Sequence, residues 1–416
     1  VTERDVLALS TRIIDGAGSL GEHPVQMGFE VHLGELAPDL AFVEAFGNVV
    51  ALRGDGELAL VDASGPLHAR AVHEAVRRWS DLPLRTAVYT HGHVDHVAAI
   101  GSFEAEDRGP LDVVAHEAVT ARFDRYERTH GYNAVINQRQ FQLPSPMFPR
   151  GHRRPDRTYR DHLEVTTAGR TLELHHDRGE TDDGTWVWLA DQRVLCTGDL
   201  FIWASPNCGN PQKAQRYCDE WAAALRKMAD LGAELLLPGH GLPIEGADRI
   251  RGVLGDTARW LESIFDQTLE LMNAGARLDE IVQVVRPPAD LDDRPWLQPV
   301  YDEPEFVVRG IWRLYGGWYD GNPAHLKPAP DAVLAAEVAR LAGGAEVLAQ
   351  RALDLSAEGE HRLAGHLIEM ATQAAPSDGE VRRARATVFG ARAAAERSTM
   401  AKGVFAWAAR PDDSPG

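Results

Sequence analysis

The chain of 416 residues is poor in three things that would narrow its chemistry. Its only cysteines are Cys196, Cys208 and Cys218, with no CxxC pair among them. That spacing argues against a thiolate metal knuckle or a disulfide framework, and unpaired thiols suit a reducing compartment. Long apolar runs are absent, so no segment reads as a membrane span. Residues 1–10 lack the pattern of a secretory signal, which points to the cytoplasm, with a periplasmic or secreted protein as the alternative if the start is a processed one. Positive charge is also scarce: 43 Lys and Arg stand against 62 Asp and Glu, a formal charge of -19. Nucleic acid and anionic lipid need clustered positive charge, so neither is an expected partner. The acidic residues form no block of five or six and read as solvated surface.

What the chain does have is a concentration of ligand-type side chains. His91, Gly92, His93, Val94, Asp95 and His96 follow directly on the β-type run 84–89. In extended chain His91 and His93 project to one side. A helix through Val97, Ala98, Ala99 and Ile100 starts near Asp95 and aims Asp95 and His96 elsewhere, so one loop can serve two adjacent metals. Imidazole and carboxylate without thiolate suit zinc, manganese or iron in a catalytic site.

Further ligands are expected at the ends of other strands. The runs 186–189 and 194–196 read as paired strands with a turn at Asp191 and Gln192. Glu180 precedes the first of them and Asp199 follows the second, while the apolar run 234–237 leads into Pro238, Gly239, His240 and Gly241. Asp62 follows the strand 58–61, and His116 ends the strand 111–115.

Asp62, the cluster at 91–96, Glu180, Asp199 and His240 together resemble the metal motifs of the metallo-β-lactamase superfamily, in order. That superfamily usually carries histidine where this chain has Glu180, and glutamate there is similar to its alkylsulfatase branch. Residues 87–96 resemble that branch's Tyr-Thr-His-Ser-His-Val-Asp-His segment, and Asn133 and Ala134 its Gly-Asn-Ala stretch. Asp266, Gln267, Thr268 and Leu269 match its Asp-Gln-Thr-Leu helix. Residues 318–324, Trp-Tyr-Asp-Gly-Asn-Pro-Ala, match the signature of its dimerisation domain. The resemblance runs over about residues 12–395.

The resemblance implies His91, His93 and Glu180 on one Zn2+ and Asp95, His96 and His240 on the other, with Asp199 bridging and Mn2+ or Fe2+ as alternatives. Asp62 would orient ligands without binding metal. Asp95 and Asp199 are the expected catalytic carboxylates, and water activated by the two metals the expected nucleophile. Two divalent ions are balanced by Asp95, Glu180, Asp199 and a hydroxide, so Glu180 leaves the site near neutral and weakly attractive to anions. A small anionic substrate would then need other partners. Asn133, Asn137, Arg139, Asn207, Asn210, Lys213 and Arg216 are the candidates, Arg being suited to bidentate oxyanion contacts. The branch's Cys-x-Glu-Asn-Cys-Thr-His segment is replaced here by Cys196, Thr197, Gly198, Asp199, Leu200 and Phe201. Phe141, Met147, Phe148, Phe201 and Trp203 read either as core or as an apolar pocket lining.

Before His240, short β-type segments (48–52, 58–61, 86–89, 112–115) alternate with helical ones such as 69–79. This α/β pattern fits an αββα sandwich over residues 1–275. From Ala247 onward the chain reads as helical, at 250–273, 278–285, 305–315, 332–341, 346–356, 358–374 and 379–396, with an all-α domain expected over 276–416. Its small-residue faces suit a helix bundle, and the resemblance implies a homodimer formed through it. The lipid-binding-like domain that many alkylsulfatases carry behind this one has no counterpart up to Gly416.

Three functions follow. A dinuclear zinc hydrolase of alkyl or related sulfate esters is the first. A hydrolase of a phosphoester, lactone or amide on the same metals is the second, and a noncatalytic, metal-stabilised dimeric binding protein the third.

Overall fold

The computed structural model describes residues 5–22 and 30–410. Two compact units emerge, one of residues 1–130, 149–276 and 280–315, the other of 131–148, 277–279 and 316–416. The expected boundary at 275/276 is therefore crossed twice: 280–315 pack with the first unit, and 131–148 with the second. Gln142 shows why the latter segment belongs there, since its Nε2 donates to the Gly403 carbonyl at 2.7 Å.

In the first unit, strands β1 (His32–Ala37), β2 (Leu40–Glu44), β3 (Val49–Gly54), β4 (Glu57–Val61), β5 (Leu84–Val88), β6 (Asp112–His116) and β7 (Arg157–Tyr159) form one sheet in that order. β1 to β4 are antiparallel; from β4 to β7 the pairing is parallel. The second sheet holds β8 (His162–Thr167), β9 (Arg170–His176), β10 (Thr185–Leu189), β11 (Val194–Ile202), β12 (Leu235–His240) and β13 (Ile244–Glu245), with β11 and β12 parallel.

Side-chain alternation explains the layering. Leu40, Phe42, Val50, Leu52, Ala59, Val61 and Val88 meet Val165, Leu172, Leu174, Val187, Leu189 and Leu237 between the sheets. The intervening residues of the first sheet, among them Ala41, Val43, Ala51 and Leu60, pack on Val72 and Val76 of the helix Ala69–Trp79 and on Phe123. Cys196 lies in the inter-sheet core, and all three thiols are buried and free. The expected turn between β10 and β11 is a 3-10 turn, Ala190–Gln192, closed by Arg193 at φ 52. Trp203 and Phe201 are core, whereas Met147 is exposed.

The second unit is a bundle of Asp331–Ala342, Ala345–Ala357, His361–Ala374, Gly379–Ala395 and Thr399–Ala408. Ala339, Ala352, Ala364 and Ala371 let these helices approach closely around Leu348, Leu355, Ile368, Val388 and Phe389. The helix expected from 358 starts at His361 because Gly359, at φ 86, breaks the chain there. Among the described residues no helix is long and apolar enough to cross a membrane.

Candidate metal centre

The ends of β4, β5, β11 and β12 and the loop between β9 and β10 bring the expected ligands together. β5 delivers Thr90 and His91; the chain stays extended to His93 (φ -71, ψ 145) and then turns into the short helix Val94–Val97. His91, His93, Glu180 and Asp199 form one group whose ligand atoms lie within 4.8 Å of one another, and Asp95, His96 and His240 form a second. Asp199 stands between them: Oδ1 is 3.3 Å from His96 Nε2, and Oδ2 is 3.4 Å from His240 Nε2 and 3.6 Å from His91 Nε2.

The partners behind each ring fix which nitrogen faces the centre. Asp62 Oδ2 accepts from Thr90 Oγ1 at 2.7 Å, so that hydroxyl's lone pair is left for His91 Nδ1–H at 3.0 Å. Asp62 Oδ2 also accepts from His96 Nδ1 at 2.8 Å, and His240 Nδ1 donates to the Phe46 carbonyl. His91, His96 and His240 therefore present Nε2 inward. His93 presents Nδ1, 2.8 Å from His91 Nε2. Asp62 achieves its double role at φ 60, a conformation unusual for a non-glycine residue and maintained by its bonds to Thr90.

Close backbone approach needs glycine at two places. A Cβ on Gly239 would lie 2.1 Å from Asp199 Oδ1, and one on Gly47 would lie 2.0 Å from the Asp95 carbonyl oxygen.

These residues fit a pair of metal ions. Glu180 Oε2 and Asp199 Oδ1 are buried carboxylate oxygens without a hydrogen-bond partner, the environment a cation satisfies. Burial holds His91 neutral, its pKa lowered to about 4, so its lone pair is available. Burial works against His96 and His240 too, yet Asp199 with its neighbouring carboxylates raises His240 to about 9 and His96 well above its ordinary value. Positive charge is thus what this half of the pocket favours. Replacing Asp62 by Asn is expected to weaken metal binding by roughly 10–100-fold, because His96 loses its carboxylate anchor; a competitive chelator titration measures this, and an unchanged affinity would contradict it.

Several candidate substrate contacts have other partners. Arg216 Nη1 lies 2.7 Å from Glu180 Oε1 and donates to the Glu180 carbonyl at 2.5 Å, and Asn207 Nδ2 donates to Glu180 Oε1. Both contact a metal-ligand candidate, Glu180, in this structure. Asn210 Oδ1 accepts from Gln212 N at 3.1 Å and shapes a turn. Lys213 is half-buried; burial and then Arg216 lower its pKa to about 8, with Asp95 and Glu180 opposing. Asn133, Asn137 and Arg139 lie on the helix His130–Phe141, in the part assigned to the second unit. Asn133 is buried there. His116 stacks on His176 at 3.7 Å between centroids and belongs to neither ligand group.

Sequence reasoning missed four supports. Buried Asp183 accepts from Gly92 N at 3.1 Å and pairs with Arg122 at 2.6 Å, pinning the bend between His91 and His93. Asn48 donates to the carbonyls of Pro238 (3.0 Å) and Gly241 (2.9 Å), holding the His240 loop. Asp302 accepts from Gly209 N at 2.6 Å and so anchors the loop after β11. The Phe46 carbonyl has no side-chain signal at all, whereas Asp183 was legible as a carboxylate three places after Glu180.

Comparison with known proteins agrees with this geometry. Residues 43–240 match the family described as metallo-beta-lactamase superfamily, and residues 277–412 match alkyl sulfatase dimerisation. The chain is 28% identical over 358 residues to a linear primary-alkylsulfatase of Pseudomonas sp., covering 80% of this chain and 67% of that protein. It is 26% identical over 403 residues to an (R)-specific secondary-alkylsulfatase of Pseudomonas sp., covering 88% and 60%. A solved structure, the stereoselective inverting sec-alkylsulfatase Pisa1 from Pseudomonas sp., superposes with a TM-score of 0.83 at 24% identity, covering 90% of this chain and 64% of the other. The chain thus spans about two thirds or less of the length of these relatives.

Proposed function

Starting from a chain that joins a metallo-beta-lactamase superfamily domain to an alkyl sulfatase dimerisation domain, and so belongs to the alkylsulfatase-like branch of that superfamily, we propose that it is a metal-dependent hydrolase of sulfate esters. The observation that carries this reading is the pair of ligand groups joined by Asp199, with Glu180 at the position that resembles the alkylsulfatases. His91, His93 and Glu180 would hold one divalent ion, zinc being the natural choice for this donor set, and Asp95, His96 and His240 the other. Two such ions supply Lewis acidity and bring the pKa of water near neutrality. Asp62, Thr90 and the Phe46 carbonyl orient the imidazoles, Arg216 and Asn207 orient Glu180, and Asp183 with Arg122 fixes the loop. Lys213, whose charge senses both Asp95 and Glu180, is one candidate on this unit for a substrate oxygen, beside Arg216, Asn207 and Asn210.

Release of inorganic sulfate from a panel of primary, secondary and aryl sulfate esters by zinc-loaded protein tests the proposal. Release from at least one ester, lost in His93→Ala, is expected. No release across the panel would overturn it. One observation favours a second reading, hydrolysis of a phosphoester, lactone or amide: with Arg216 and Asn207 committed to Glu180, fewer cationic and amide groups remain for a sulfate. Turnover of one of those classes without sulfate release would establish it.

The second unit supports a homodimer. Trp318, Leu326, Val333, Leu334 and Leu341 are exposed on it, Trp318 at 70% and Leu341 at 72%, more large apolar surface than a solvated bundle needs. Paired Trp318→Asp and Leu341→Asp substitutions are expected to convert a dimer mass to a monomer mass in light scattering. A monomer mass for the unaltered protein would contradict the dimer.

A further inference from the structure

A second set of ligand-type side chains lies on the edge of the second sheet, away from the seven residues above. β8 is the edge strand, and in its antiparallel register with β9 His162 faces His175 while Glu164 faces Glu173. Alternation puts these four on one face, opposite Leu163, Val165, Leu172 and Leu174, which turn to the core. The imidazoles of His162 and His175 are 4.6 Å apart between centroids, and His175 Nε2 is 3.6 Å from Glu173 Oε2. One ligand atom from each of His162, Glu173 and His175 falls within 4.8 Å of the others. Trp186 on β10 stacks against the His175 ring at 4.0 Å and 11°, which holds that imidazole in place.

We propose that His162, Glu173 and His175 form a second, peripheral site for a divalent transition-metal ion of the zinc or copper(II) class. Ligand atoms around a tetrahedral zinc at about 2.1 Å lie about 3.4 Å apart, close to the spacing already present between His175 and Glu173. The exposed His162 ring needs only a side-chain rotation to join them, and water completes the set. Two imidazole nitrogens and one carboxylate suit zinc or copper(II) and disfavour calcium or magnesium. Burial, and then the neighbouring His162, hold the pKa of His175 below its ordinary value, which favours the neutral ligand form. An ion here would clamp the edge strand β8 to β9, the strand that continues through residues 177–179 to Glu180.

Equilibrium dialysis of protein already loaded with its active-site metal, against zinc chloride, tests this by elemental analysis. The unaltered chain is expected to bind one equivalent more than His162→Ala, and Glu173→Gln is expected to bind that equivalent more weakly. His162→Ala should keep the turnover of the unaltered protein, since it touches no ligand of the other centre. Copper(II) resonance should show nitrogen splitting from two imidazoles in the unaltered chain and in His93→Ala, and lose it in His162→Ala. The His93→Ala arm separates the two sites: loss of metal there with retention of the peripheral equivalent leaves this proposal standing whatever the fate of the sulfatase reading. Equal zinc equivalents in the unaltered chain and His162→Ala would overturn it.

Discussion

Asp199→Ala is expected to release metal from both groups at once and to lower sulfate-ester turnover by about a thousandfold or more, the several kcal/mol that paired metal ions contribute to transition-state charge. Among the described residues no other side chain has carboxylate oxygens within 3.6 Å of imidazoles from both groups. Loss of His93 or His96 should empty one half first; loss of Asp199 should weaken both. Elemental analysis of the purified variant and its turnover on a responsive ester check this together. A variant that keeps two metal equivalents per chain would contradict the bridging role. Asp199→Asn retains the shape but not the charge, so it is expected to fall nearer to the alanine variant than to the unaltered protein.

The second large effect concerns Arg216. Its guanidinium and Glu180 are both buried and 2.7 Å apart, and removing one partner of such a pair leaves an uncompensated charge in a low-dielectric setting. Burial raises the pKa of the Glu180 carboxyl to about 8 even beside Arg216. Arg216→Met is therefore expected to destabilise chelator-treated protein increasingly as pH rises above about 8, by up to about 3 kcal/mol in urea unfolding, and by less at pH 7, where Glu180 takes up a proton. Metal affinity should fall roughly 10–100-fold, as it does when a residue orienting a ligand is lost. The double variant Arg216→Met with Glu180→Gln removes the orphaned charge and should recover part of the stability, a coupling that a double-mutant cycle isolates. If Arg216 instead served the substrate, Arg216→Met would raise KM with stability and metal content unchanged. Arg216 also alters the charge balance: its positive charge offsets Glu180, so Glu180 would damp the Lewis acidity of ions held here less than the ligands alone imply.

Much of this centre was legible from residue types. The histidine cluster after an apolar strand, and carboxylates or histidine at the ends of three more strands, named all seven ligand candidates, because a metal site on a sheet edge collects strand-end residues. Strand alternation and helix periodicity likewise located seven of the thirteen described strands and most of the C-terminal helices, but not β1, β2, β7, β8, β9 or β13. The helix Thr399–Ala408 was not anticipated, since Met400, Ala401, Gly403 and Trp407 make a short, mixed pattern. The partners of Arg216 and Asn207 were not legible either. Local sequence shows that a loop is rich in amide and cationic groups, but not that it folds back 27 to 36 residues onto Glu180. The assignment of 131–148 to the helical unit depends on contacts with residues some 260 positions away, such as Gln142 with Gly403. Backbone acceptors such as the Phe46 carbonyl carry no residue-type signal whatever.

The most direct measurement is sulfate release assayed on the same sample whose metal content is determined, before chelation, after chelation and after addition of zinc. The expected result is two metal ions per chain and release of inorganic sulfate from at least one alkyl sulfate, both lost with chelator and both restored by zinc, with His93→Ala showing neither. A chain that carries two metal ions and releases no sulfate from any ester of the panel would contradict the proposed reaction.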